Sequence, residues 1–548
     1  MQGTIRVCQT TPYDDQRPGT SGLRKAVRRF MEPNYLENFL QAIFHAAGET
    51  LRDKTLVLGG DGRYHNDQAL LICLRMAAAN GVARVLVGRH GLLSTPAGSH
   101  LIRHHGAGGG ILFTASHNPG GADGDFGVKF NTSNGAPAPE ALTEAIYQES
   151  KKVREYRLWD GPAPDLAVLG SHAMGEMAVE VIDPVAAYAD LLSGLVDFDA
   201  IASLFKGGFR MVFDAMHAVT GPYAREILEN RLGAPAGTVI HHVPLPNFGG
   251  GHPDPNPHNA AELMRVMGVG HGGERACPDF GAASDGDGDR NMILGPGTVV
   301  SPCDSLALLT AHAHLLPQFS GGVRGVGRSM PTSHAVDRVA GALGIPVYET
   351  ATGWKYFCNL LDAGLISLCG EESYGTGGNH IREKDGLWAV LCWLNILAAT
   401  RLTIPQLLER HWRQYGRDLF QRHDYEGLDP AVADALMDHL RQRLASLPGS
   451  SCGMLTVERA SEFRYRDPVD GSTSTPQGIE VHFRQGGRAV FRLSGTGTQG
   501  ATLRLYLERP LSPQDALGDC DLTPWVEAAR RVADLAGHLG RSEADVVV

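Results

Sequence analysis

The 548-residue chain has no CxxC pair, no apolar core in its opening residues, no apolar run long enough to span a bilayer and no surplus of basic residues. Each absence removes a class of function. Nine cysteines, scattered and odd in number, suit reduced thiols in a cytosol rather than a disulfide framework, which makes the cytoplasm the expected compartment. The opening residues MQGTIRVCQTTPYDDQRPGT lack the apolar core of a secretory signal. The most apolar stretch, LWAVLCWLNILAA, falls short of the roughly 18 residues expected of a spanning helix. Asn395 interrupts it, so it predicts a buried core helix and no membrane partner. A formal net charge of -11 disfavours nucleic acid and anionic membranes as partners. An anionic small-molecule substrate would need lysines and arginines gathered at one place. The 68 glycines follow no fixed period, which excludes collagen-like and low-complexity sequence.

What is present is a recurring order of elements. KTLVLGGDGR reads as a strand entering a glycine loop, and NDQALLICLRMAAANG as a helix with Asn66 or Asp67 as its cap and Gly81 as its stop. VARVLVG and ILFTAS read as further strands, and EALTEAIYQESKKVREY as an amphipathic helix. The same grammar returns in FRMVFDAMHAVTGPYAREILENRLG, in FGAASDGDGDRNMIL, and in LISLCGEESYG followed by DGLWAVLCWLNIL. Alternating strands and helices predict α/β units with a largely parallel sheet. Their ligand loops lie beyond the C-terminal ends of the strands. Past residue 405 the pattern becomes alternating strands, with few helical stretches until WVEAARRVADLAGHLG, as in an α+β domain. Boundaries near Asp190, Pro302 and Pro405 give four domains, 1–189, 190–303, 304–405 and 406–548.

Four loops carry chemistry. In SDGDGDRN, Asp285, Asp287 and Asp289 alternate with glycines that let the backbone curl until the three carboxylates face one point. An oxygen-only set of this kind suits Mg²⁺ and, lacking His and Cys, not Zn²⁺. The plainer reading is an Asp-Gly hairpin turn. GTGTQG at 495–500 mimics a dinucleotide fingerprint, but ATLRLYLE after it reads as a strand where that fingerprint needs a helix. Ser494, Thr496, Thr498, free backbone N–H groups, Arg492 and Arg504 instead suit a phosphate nest, against a hairpin with solvated arginines. CGEESYGTGGNHIREKDG offers Glu371, Ser373, His380 and Lys384, a carboxylate and hydroxyl fit for sugar hydroxyls, although any exposed loop can look so.

The fourth loop, TASHNPGGADGDFGVKFN, holds Ser116 beside His117. Neighbours in an extended chain point to opposite sides, so these two need not form a dyad. No GxSxG elbow is present, which counts against acyl transfer. A phosphorylated Ser116 would carry nearly two negative charges. A cation on the Asp loop could ligate its oxygen while Lys129, His117 and Arg290 neutralise the rest. The combination spells phosphoryl transfer.

Together TASHNPGG with DFGVKFN, DGDGDRN, GEESYGTG and RLSGTGT resemble the phosphoglucomutases of the α-D-phosphohexomutase superfamily, as do PGTSGLRK and GRSMPTSHAVDRVA. The match runs from about residue 17 to 508, in order. The resemblance implies four domains around a central cleft, three related α/β mixed-sheet domains and a C-terminal α+β domain. It implies Ser116 as the phosphoserine, and Mg²⁺ held by Asp285, Asp287, Asp289 and an oxygen carried by Ser116. Glu371 and Ser373, with Thr352 and Gly353, would meet sugar hydroxyls. Arg492, Ser494, Gly495, Thr496 and Thr498 would hold the non-reacting phosphate. Arg24, Lys129, Arg290 and Lys384 line the site, with Lys129, Lys384 and His117 as proton-transfer candidates. GTGTQGAT departs modestly from the family's usual GTGSAGAT but keeps a hydroxyl. The implied activity interconverts glucose 1-phosphate and glucose 6-phosphate through glucose 1,6-bisphosphate, which also serves as activator, in a monomer or weak homodimer. A phosphomannomutase, a Mg²⁺-dependent sugar phosphatase and a silent sugar-phosphate-binding relative are the alternatives. The last would be expected to have lost the serine or an aspartate, and this chain keeps both.

Overall fold

The computed structural model describes residues 3–270, 277–474, 477–494, 500–518 and 521–548. The chain forms two compact units. The first comprises Met1–Val299, His314–Gly322 and Tyr374–Arg401; the second comprises Val300–Ala313, Val323–Ser373 and Leu402–Val548.

The first unit contains two large sheets and a two-stranded one, Ile5–Gln9 with Glu155–Trp159. One is seven-stranded, in the order Leu23–Ala26, Asp125–Thr132, Gly109–Phe113, Thr55–Gly60, Arg84–Leu92, Met177–Ile182, Gly170–Met174. Its middle four strands run parallel, and antiparallel strands close both edges. The expected parallel sheet is therefore mixed. One edge is a hairpin, Gly170–Met174 with Met177–Ile182, and the other is the N-terminal strand Leu23–Ala26, which pairs over a long range with Asp125–Thr132. The strand Gly109–Phe113 is buried along its whole length, as a central strand covered on both faces must be. The second sheet places Met211–Asp214 parallel to both Val239–Ile240 and Phe280–Ala283, with Met292–Gly295 antiparallel to the last.

The apolar stretch that is too short to cross a bilayer forms the helix Gly386–Thr400, buried from Gly386 to Ala398. Its one polar interior residue is satisfied: Asn395 accepts from the Asp197 N–H at 2.7 Å and donates to the Leu315 carbonyl at 3.1 Å. A buried amide with partners costs the core little. Among the described residues no single helix is long and apolar enough to cross a membrane.

In the second unit, Val326–Ser329 lies parallel to Val347–Thr350 and Leu368–Glu371. A seven-stranded sheet follows, in the order Ser451–Cys452, Leu455–Glu462, Ile479–Phe483, Arg488–Ser494, Ala501–Leu511, Arg417–Leu428, Val546–Val547. Its pairings are antiparallel.

Three local expectations are corrected. The helix Asn66–Ala79 is preceded by His65 in a left-handed conformation with no side-chain cap, so neither Asn66 nor Asp67 caps it. The amphipathic helix ends at Ser150, and Glu155–Trp159 is a strand paired with Ile5–Gln9. The last region is richer in helix than expected, with Ile404–Tyr415 and Pro430–Arg443 before the terminal Thr523–Ala533. Both begin with a capping side chain followed by proline at the first turn, Thr403 before Ile404-Pro405 and Asp429 before Pro430. That is a strong start signal the strand-rich surroundings concealed.

Candidate active site

Ser116 stands three residues past the buried strand Gly109–Phe113, with φ at 53°. A left-handed backbone at a non-glycine residue is costly and persists only where its surroundings impose it. Here they do. Arg63, buried, donates to the Ser116 carbonyl at 2.7 Å and to the Asp125 carbonyl at 2.9 Å. Asp61 holds Arg63 through Nε at 2.9 Å and accepts from Thr114 Oγ1 at 2.6 Å. Thr114 Oγ1 in turn accepts from the Ser116 N–H at 2.8 Å. Serine is thus gripped through both its amide and its carbonyl. The bend also overturns the extended-chain reading: Ser116 Oγ and His117 Nδ1 lie 3.3 Å apart.

The Asp loop sits against this turn. Ser116 Oγ donates to Asp285 Oδ2 at 2.9 Å. Gly286 permits the approach, since a Cβ there would lie 2.4 Å from the Ser116 carbonyl oxygen. Gly288, at φ 85°, supplies the curl. Asp285 Oδ1 closes the loop by accepting from the N–H groups of Asp289 and Arg290 at 2.9 and 3.0 Å. Asp287 Oδ2 accepts from Thr95 Oγ1 at 2.6 Å.

The three carboxyls are 0, 1 and 2 % exposed, and one oxygen from each lies within 4.8 Å of the others. Asp287 Oδ1 and Asp289 Oδ1 are buried without a hydrogen-bond partner among the described residues. Burial, and then the carboxylates of Asp289 and Asp287, push the Asp285 carboxyl well above the ordinary range. Burial works the same way on Asp287, but Lys129, the Thr95 hydroxyl and Arg24 outweigh it and hold that carboxyl at about 2. Crowded, part-orphaned oxygens with no nitrogen or sulfur among them fit a hard divalent cation.

Cations surround the loop. Lys129 Nζ lies 3.7 Å from Asp287 and 3.4 Å from Glu383. Burial disfavours its charge, yet Glu383, Asp287 and Asp289 more than compensate and raise its pKa. Lys384 Nζ is 3.4 Å from Asp289 Oδ2. Arg290 pairs with Asp254 at 2.8 Å and reaches 4.0 Å from Asp285. Arg24 is half-buried, and the fields of Asp287 and Asp289 act on it. The segment bearing Lys384 is knitted to the Asp loop: Asn291 N–H donates to the Tyr374 carbonyl, and Gly386 N–H to the Gly288 carbonyl. The first unit therefore unites Arg24, Ser116, His117, Lys129, Asp285, Asp287, Asp289, Arg290 and Lys384.

Residue-level reading missed Asp61, Arg63, Thr95, Thr114, Asp254 and Glu383. One signal was available, an Asp-x-Arg directly after the strand Thr55–Gly60, where α/β ligand loops lie.

The second unit holds the remaining expected residues in two places. Gly353 N–H donates to Glu371 Oε1 at 3.2 Å, which joins the loop after Val347–Thr350 to that after Leu368–Glu371. Thr352 Oγ1 is buried with no hydrogen-bond partner among the described residues, and Ser373 is half-buried. Arg492 and Ser494 lie on the strand Arg488–Ser494, where Arg492 is directly opposite Arg504, itself opposite Asp424. Arg422 Nε also reaches Asp424, at 3.0 Å. Arg422 and Arg504 share the one carboxyl, and Arg492 faces Arg504 on the next strand, which leaves a local positive excess. Like charges face to face across strands are unfavourable unless an anion joins them. Gly495, Thr496 and Thr498 lie outside the described residues.

A buried acid triad on a serine turn, in α/β sheets carrying loops at strand ends, defines the class of metal-assisted phosphoryl-transfer sites. Three models of the phosphoglucomutase/phosphomannomutase alpha/beta/alpha domains match: domain I at residues 15–157, domain II at 186–297 and domain III at 302–415. A model of the phosphoglucomutase-1 C-terminal domain matches residues 417–545. The chain belongs to the phosphoglucomutase/phosphomannomutase family. A phosphoglucomutase of Rhizobium radiobacter is 53 % identical over 551 residues, covering 99 % of this chain and all of that one. Human phosphoglucomutase-1 is 48 % identical, with 99 % of each chain covered. Among solved structures, the open form of parafusin, a phosphoglucomutase from Paramecium, superposes with a TM-score of 0.91 at 44 % identity and 99 % coverage of both chains.

Proposed function

We propose that this chain is a phosphoglucomutase, an isomerase that interconverts glucose 1-phosphate and glucose 6-phosphate by way of a phosphorylated Ser116 and a bound glucose 1,6-bisphosphate. The observation that carries this is the 2.9 Å contact between Ser116 Oγ and the buried Asp285, with Asp287 and Asp289 beside it. Full-length relatives at about half identity bearing the name phosphoglucomutase support the same reading.

Asp285, Asp287 and Asp289 would hold Mg²⁺, with an oxygen of the phosphoserine. When bound, the ion withdraws charge from the transferring group and steadies the departing serine oxygen. In the forward direction the P–Oγ bond breaks as a bond from phosphorus to O6 of glucose 1-phosphate forms, and the O6 proton passes to a base of the site. In the return step the 1-phosphoryl of the bisphosphate moves to Ser116 Oγ, and the sugar O1 takes up a proton. The total phosphate is unchanged, so glucose 1,6-bisphosphate acts as activator by recharging an unphosphorylated serine. His117, 3.3 Å from Oγ, is within reach to take or return the proton at that atom. Lys129, kept cationic by Glu383 and Asp287, neutralises charge on the transferring group instead of serving as base. Arg24, Arg290 and Lys384 add to the same field, where stabilisation of a group charged throughout does most of the work. Glu371, Ser373, Thr352 and Gly353 would bind sugar hydroxyls. Arg492 and Ser494, with Gly495, Thr496 and Thr498, would hold the phosphate that does not react.

The four domains are proposed at 1–189, 190–303, 304–405 and 406–548, each bringing one of these loops. A cytoplasmic monomer or weak homodimer is the proposed working form, for which the scattered thiols and a sedimentation measurement are respectively the support and the check.

The test is a coupled assay on glucose 1-phosphate with and without glucose 1,6-bisphosphate, beside mannose 1-phosphate. Bisphosphate-stimulated formation of glucose 6-phosphate is expected. Steady release of inorganic phosphate without need of the bisphosphate would make the protein a phosphatase, and a preference for mannose 1-phosphate a phosphomannomutase.

A further inference from the structure

Between the two proposed sugar-reading side chains, Glu371 and Ser373, lies a third residue that nothing above employs. Glu372 is 4 % exposed, and its carboxyl makes no ion pair among the described residues. Instead it accepts from Ser329 Oγ at 3.2 Å and, at the limit of a hydrogen bond, from Thr332 Oγ1 at 3.5 Å. The two hydroxyls are themselves 2.7 Å apart, and Thr332 Oγ1 also accepts from the Glu372 N–H at 3.0 Å. One threonine thus meets Glu372 at both its side chain and its backbone. Burying a carboxyl on hydroxyl partners alone is an expensive way to fill a core. Nothing in packing asks for it, since an apolar side chain would fill the space at lower cost.

The loop that holds Glu372 is fixed from its other side. Arg488 donates from Nη2 to the carbonyls of Met330 and Thr332 at 2.8 and 2.9 Å, while its own charge is met by Glu508 and Glu480. Met330 is packed against Val490 and Tyr506 of the antiparallel sheet. Residues 329–332 therefore form a rigid post standing on that sheet, and Glu372 is tied to the post.

We propose that Glu372 is a positioning residue: through Thr332 and Ser329 it sets the height and rotation of the Glu371–Ser373 segment, and thereby how sharply sugar hydroxyls are read. This rests on the reading of Glu371 and Ser373 given above. Glu372 and Ser373 lie in the turn that directly follows the strand Leu368–Glu371, so the anchoring of Glu372 governs how its two neighbours are presented. A shift of about 1 Å at such a segment suffices to lose most of the discrimination a hydrogen-bonding site provides.

The test uses glucose 1-phosphate and its 2-, 3- and 4-deoxy analogues, with kcat/KM measured for each on the full chain. The wild type is expected to disfavour at least one analogue by about tenfold or more. Glu372→Ala and Thr332→Val should shrink that ratio by roughly fivefold or more, while Glu372→Gln, which keeps the length and a hydrogen-bonding oxygen, should retain it. Thr332→Val preserves shape, so the proposal stays testable if the alanine variant does not fold. Folded variants that lose activity equally on all four sugars would overturn the positioning role, as would a glutamine variant no better than alanine. A wild type that turns over glucose 1-phosphate but ignores every missing hydroxyl would overturn it by removing its premise. A wild type inactive on glucose 1-phosphate would overturn the proposed function itself.

Discussion

The two units treat charge in opposite ways. In the first, Asp285, Asp287 and Asp289 are almost wholly buried, and each is already engaged by a serine, a threonine, a lysine or the loop's own backbone. In the second, Arg492 stands half-buried on a strand with another arginine opposite it, and the Thr352 hydroxyl has no partner among the described residues. In the first region the unmet groups are carboxylate oxygens, Asp287 Oδ1 and Asp289 Oδ1, which call for a cation; in the second they are a hydroxyl and facing guanidinium groups, which call for a polar, anionic ligand. The difference suits the tasks proposed for them. Moving a phosphoryl group rewards groups fixed beforehand at the reacting atoms. Recognising a sugar phosphate rewards unsatisfied donors whose partners the ligand brings.

That contrast can be broken by experiment. The largest effect is expected from Ser116→Ala, which should lower kcat by at least about three orders of magnitude on every sugar while leaving the melting curve nearly unchanged. Near-normal turnover would remove the covalent step. Next is metal removal. Chelation should abolish activity and Mg²⁺ restore it, and at about 100 times its Kd the ion should stabilise the wild type by roughly 2.7 kcal/mol in thermal melts. Asp287→Asn should lose most of that stabilisation; an equal shift in both proteins would place the ion elsewhere. Smaller and different in kind, Arg492→Ala should raise KM about tenfold with kcat little changed, as the loss of a charge-assisted contact made equally in ground and transition states. A fall in kcat alone would erase the division between the two regions.

A last effect concerns stability only. Burial, with lesser help from His312 and Arg338, lowers the His411 pKa from 6.5 to about 3. The unfolded chain therefore binds a proton that the folded one refuses, and stability falls as pH drops from about 6.5 toward 3. His411→Phe should flatten this acid limb by about 2 kcal/mol at pH 5, read from melts at pH 5 and 7. An unchanged slope would mean the ring is protonated in the fold.

Much of the site was legible because it is written in contiguous loops. Three aspartates two apart, and a serine following a buried strand, need only local geometry to be recognised. The residues that hold them were not legible, because they act through tertiary contact. Arg63 reaches the Ser116 carbonyl across 53 positions and Glu383 reaches Asn131 across 252, and neither spacing leaves a mark on local pattern. The reading of Ser116 and His117 as opposed neighbours failed for a related reason, since it assumed an extended backbone where the surrounding clamp enforces a bend. The fold shows the same division. Most strands and helices followed from periodicity, whereas the mixed edges of the first sheet depended on a hairpin and a long-range pairing, and the helix Pro430–Arg443 on a capping signal set among strands.

The torsion at residue 116 has a consequence for which amino acid can stand there. Threonine carries the same hydroxyl and would be chemically competent, but a branched Cβ fits a left-handed backbone poorly. Cysteine would accept the bend and lacks the oxygen. The choice of residue for the proposed phosphate carrier is thus dictated by the path of the main chain as much as by the reactivity of the group it bears.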